Sequence, residues 1–65
     1  MRDEKIIETL KDGDIRVYVI DDAHWGEFRV ELWINGEHRA AADYFTDDEL
    51  EAMQTAEYMF AEAAK

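Results

Sequence analysis

Carboxylates are the one reactive side chain this sequence holds in quantity: 17 Asp and Glu stand among 65 residues. Three kinds of chemistry could use them. A close pair can do general acid–base work if one member is buried and perturbed. A cluster can ligate a metal, and an exposed row can present negative charge to a partner. The remaining inventory narrows the choice. There is no Cys and no Ser, the only hydroxyl candidates besides Tyr are Thr9, Thr46 and Thr55, and the only histidines are His24 and His38. A nucleophile with its base therefore has little to be built from. The runs "DDAH" (Asp21, Asp22, His24) and "DGD" (Asp12, Asp14) match neither a calcium loop nor a zinc spacing and read as turn chemistry. The expectation is a protein that is not an enzyme, with no cofactor and no metal.

The carboxylates are unevenly balanced. From Phe45 to Lys65, "FTDDELEAMQTAEYMFAEAAK" carries Asp47, Asp48, Glu49, Glu51, Glu57 and Glu62, and its single basic residue is the last. With Asp43 added, no Lys or Arg stands between Ala40 and Ala64. Acidic groups in a first helical turn complement the macrodipole, each by about 0.3–1 kcal/mol, so Asp47, Asp48 and Glu49 need no further purpose. Glu57 and Glu62 lie too far along the helix for that benefit, and only Lys65 can reach Glu62, at i+3. The formal net charge of -10 disfavours contact with nucleic acid or anionic membranes and favours a basic protein surface.

These groups need a scaffold, and the chain is long enough for one thin core only, since a domain of this size buries about 60% of its unfolded surface. A content of 48% apolar residues, with two Trp, three Tyr and three Phe, favours a folded domain over an acidic disordered tail. The absence of cysteine suits a reducing cytoplasm, no apolar run is long enough to span a membrane, and the charged opening "MRDEKIIETL" does not read as a secretory signal. A cytoplasmic location is expected.

Asp12-Gly13 and Asn35-Gly36 each separate two apolar runs and read as hairpin turns. Period-two alternation predicts strands at about 14–21 and 27–34, with weaker outer strands at about 5–10 and 38–45. The fold class predicted is α+β: a four-stranded antiparallel meander with one C-terminal amphipathic helix, about 47–64, packed on one face. Thr46 and Glu49 have capping-box spacing, with Phe45 and Leu50 as a hydrophobic staple. Leu50, Met53, Ala56, Phe60, Ala63 and Ala64 would cover the Phe28/Val30/Leu32 face, leaving Asp48, Glu51, Thr55, Tyr58 and Glu62 outward. A strict turn at Asn35-Gly36 would set Val30 opposite Ala41 and Glu27 opposite Tyr44, putting the fourth strand's better apolar residues on the wrong side. Either a bulge near the alanines shifts the register, or Trp33, Tyr18, His38 and Tyr44 form a second cluster. Trp25 reads as a lid on the core edge or, if exposed, as an interface anchor.

In size, charge and layout the whole chain resembles the small acidic anti-CRISPR proteins of phages and other mobile elements, in particular those directed at type I, including type I-C, surveillance complexes. That family shares no diagnostic motif. The resemblance implies a stoichiometric inhibitor, monomeric, that acts as a DNA mimic on the large Cascade subunit, at the basic site that reads the protospacer-adjacent motif. Carboxylates on successive helical turns lie about 5–6 Å apart, comparable to neighbouring phosphates on a strand. The residues expected to stand in for phosphates are Asp43, Asp47, Asp48, Glu51, Glu57 and Glu62, with Tyr58 as a contact residue. The competing expectation is an antitoxin-like or adaptor module that binds a basic partner through its sheet edge or its Trp33/Tyr18 face.

Overall fold

The computed structural model describes residues 4–65, so the reading of the charged opening Met1–Asp3 lies outside them. The order of elements is β1 (Glu4–Asp12), β2 (Ile15–Asp22), β3 (Glu27–Ile34), β4 (Glu37–His38), a 3-10 turn (Ala40–Ala42), β5 (Tyr44–Thr46) and α1 (Glu49–Ala63). The class is α+β. An antiparallel sheet runs β1-β2-β3-β4, β5 also pairs with β3, and α1 lies across one face.

The turns form where the glycines require them. Gly13 leads a two-residue loop closed by Asp12 and Ile15, with φ at +59°. At the second hairpin Asn35 and Gly36 both have positive φ, 55° and 77°, which is the type I′ geometry whose twist matches the flanking strands. That turn sets Trp33 opposite His38 and Ile34 opposite Glu37.

Beyond His38 the fourth strand does not continue to residue 45. The Ala42 and Asp43 amides turn back to donate to the Arg39 and Ala40 carbonyls, which makes the alanines a 3-10 turn. The strand resumes with Tyr44 opposite Val30, where unbroken pairing would have put Ala41. The inserted turn carries Tyr44 to the helix side and so resolves the facing conflict by shifting the register. Tyr44 is therefore absent from the aromatic cluster on the other face. That cluster consists of Trp33 in edge contact with Tyr18 (6.3 Å, 80°) and stacked on His38 (5.0 Å, 12°).

The core is Val17, Val19, Val30, Ala52 and Ala56, with Ile7, Leu10, Phe28, Leu32, Met53, Met59 and Phe60 packed around it. Ile7 reaches it because β1 slips register between Ile6 and Glu8. Each fully buried valine contributes about 1.5–3 kcal/mol of transfer free energy.

The helix differs from expectation in four ways. It begins at Glu49, not 47, because Asp48 is the N-cap: the Glu51 amide donates to its carboxylate at 3.2 Å. Thr46 instead accepts from the Asp48 amide and donates its hydroxyl to Glu51, so no Thr46–Glu49 box forms. There is no staple either, since Phe45 is 52% and Leu50 66% exposed. The buried stripe also lies further round, centred on Ala52 and Ala56, with Leu50 and Ala64 outside it. Alanines at the centre let the helix approach the sheet closely, and larger side chains then fit only along the flanks. Trp25, at the β2–β3 turn, is no lid: it is 73% exposed, in edge contact with His24.

Candidate acidic docking site

Where the fourth strand gives way to the 3-10 turn, the helix and sheet do not close on each other. A groove of about 510 Å³ runs there, floored by Leu32 and Ile34 of β3 and walled by Thr55, Met59 and Ala63 of α1 and by Ala42 and Tyr44. Asp43, Tyr58 and Glu62 complete its lining. The physical origin is small side chains on both walls, since Ala42 and Ala63 leave unfilled what larger residues would occupy.

The expected site residues separate into two groups. Asp43, Tyr58 and Glu62 line this groove, Asp43 with its carboxylate turned to His38, and Glu51 lies close enough to the Tyr44 wall to act on the phenol. Desolvation first, then that contact with Glu51, raises the Tyr44 pKa above its ordinary value. The other residues do not join them. Asp48 is committed to capping, Asp47 is exposed at the bend before the helix, and Glu57 is exposed about 100° round the helix from Tyr58. The row is thus not one carboxylate per turn. Between Glu51 and Glu62 the same flank carries Thr55 and Tyr58, and the charges stand about 16 Å apart along the axis.

Among the described residues, none of these carboxylates pairs with an arginine. Asp43 contacts His38 Nε2 at 2.8 Å, and Glu62 meets Lys65 Nζ at 2.9 Å. The second pair is exposed and weakly held. The described arginines are engaged elsewhere. Arg29, on the helix-free face, binds Glu4 and Glu31 at 2.7 Å each and lies 3.9 Å from buried Asp22. Burial opposes its charge, but the hydrogen bonds it donates to Glu4 and Glu31, with their negative charges, outweigh that and raise its pKa. Arg39 faces Glu37, and Arg16 donates to the Gly13 carbonyl.

Glu31, His38 and Asp43 present ligand atoms within 4.8 Å of one another. The Glu31 oxygens already accept from Arg29 and from the Trp33 indole, and His38 Nε2 faces Asp43, so this cluster is internally satisfied. Sequence reasoning identified the acidic rim but missed the groove's apolar floor. Leu32 and Met59 look like ordinary core residues in sequence, and only the run "AAA" before Asp43 hints at a gap. No protein-family model, curated protein or solved structure matches this chain.

Proposed function

We propose that the protein is an inhibitor that works as an acidic DNA mimic, occupying a cationic DNA-recognition site on another protein and so keeping DNA out. The observation that carries this reading is that Glu51 and Glu62 stand on the helix flank with no arginine paired to either among the described residues, Glu62 being held only by an exposed contact with Lys65. Sites that engage DNA do so with Lys and Arg aimed at phosphates and base edges, and such a site supplies the cations this surface lacks. The resemblance to type I anti-CRISPR proteins directs the choice of target to the large subunit of a type I Cascade, at its protospacer-adjacent-motif reader, in a bacterial cytoplasm. Titration of the protein into purified type I-C Cascade tests this. Binding should weaken steeply with salt, exclude target duplex, and fail when Glu51 and Glu62 are changed to Lys. Binding indifferent to both salt and duplex removes the proposal.

A second reading, the antitoxin-like or adaptor module, draws on the helix-free face. There Ile6 and Phe45 are 55% and 52% exposed, and β1 pairs on one side only. Under it, Trp33→Ala weakens partner binding more than charge reversal on the helix does.

A further inference from the structure

We infer that the groove between the C-terminal half of α1 and β3 is a socket for one large apolar side chain, presented by a cationic segment of a protein partner. Three observations converge on that occupant. The floor and helix wall are apolar, with Leu32, Ile34, Met59 and Ala63 lining open space of about 510 Å³, enough for a Leu, Met or Phe side chain. The rim carries Glu62 on the helix wall, held only by an exposed ion pair with Lys65, while Asp43 on the sheet side turns its carboxylate to His38. The groove also lies beside the last turns of α1, which contain no basic residue, so the negative end of the helix dipole faces the same approach. Tyr58, 70% exposed at the edge, supplies a rigid aromatic surface over which the stem of a Lys or Arg can lie.

An apolar residue flanked by basic ones satisfies floor and rim together. A purely apolar segment would desolvate Glu62 and the exposed ion pair it makes with Lys65 without a cation of its own, and a purely basic one would leave the floor wet. A second copy of this chain is disfavoured as occupant, because each copy carries a net charge of -10. The inference rests on the reading above only in taking the partner to be a cationic protein. It adds that charge is not the whole of recognition, since a groove that accepts a side chain distinguishes a protein from any simple polycation.

The test uses two short synthetic peptides, one with a Phe flanked on each side by Lys and Arg and the other with Ser in its place, titrated against the full chain by NMR. The Phe peptide should bind about tenfold or more tighter, as expected for burying most of one large apolar side chain. It should move the methyl resonances of Leu32, Ile34 and Met59. Ala63→Leu, which fills the groove, should reduce the Phe peptide to the affinity of the Ser peptide. Equal affinities on the unaltered chain, or shifts centred on Ile6 and Phe45 across the sheet, overturn the socket. The two proposals fail separately. Equal, salt-sensitive binding of both peptides removes the socket and leaves the acidic surface. Seating of the Phe peptide alongside Cascade binding that ignores duplex DNA removes the mimic and leaves the socket.

Discussion

Arg29 shows how individual residues divide the molecule's charge. It gathers Glu4, Glu31 and Asp22 on the helix-free face, whereas no arginine among the described residues reaches the helix. Arg29→Met should cost about 1–3 kcal/mol in urea unfolding, less than a fully buried pair because the guanidinium and Glu4 remain partly in water. The same substitution should leave any charge-driven docking on the other side of the sheet unchanged. Tyr44 gives a second test at this scale. Its pKa is raised in the folded protein, so its contribution to stability is complete below its unfolded value and is lost as the pH climbs through the folded one. Glu51→Gln should bring the phenol back towards its ordinary value in an ultraviolet absorbance titration. An unchanged titration would mean that Glu51 does not act on Tyr44, and so does not stand at the groove.

At the scale of elements, the helix start and the broken fourth strand decide where the acidic residues point. Asp48 holds the first turn through the Glu51 amide, so Asp48→Ala should destabilise the fold by about 1 kcal/mol in thermal or urea unfolding. Glu49→Ala should cost under about 0.5 kcal/mol, since its side chain is exposed and serves only the dipole. Equal losses would restore the Thr46–Glu49 box that the spacing suggests. The 3-10 turn at Ala40–Ala42 has a comparable effect on the sheet. By adding residues between Trp33–His38 and Val30–Tyr44 it turns Tyr44 onto the helix side, beside Glu51, and brings Asp43 back against His38. Without it, Asp43 would stand opposite Phe28.

The whole molecule carries a net charge of -10 on a thin core, and self-repulsion works against the compact state. Added salt should therefore raise the unfolding midpoint while weakening attachment to a cationic partner, two opposite responses to one screening length of about 10 Å at 0.1 M. A melting temperature that falls as salt rises through this range would place the dominant electrostatics in favourable pairs such as those of Arg29. At this scale the sequence by itself determined the class of fold. Alternation in Ile15–Ile34, the positive-φ dipeptide Asn35-Gly36 and the helical periodicity after Asp48 are local signals, and they act through backbone geometry that each segment carries with it. It also determined the imbalance of charge, because a stretch without Lys or Arg has none however it folds. Tertiary structure alone decided which acids share a side, where the helix's buried stripe falls, and that a groove opens between Ala42 and Ala63. Those outcomes depend on how closely an alanine-lined helix can approach a particular set of valines. They depend equally on a register shift of a few residues, set by packing between segments distant in sequence.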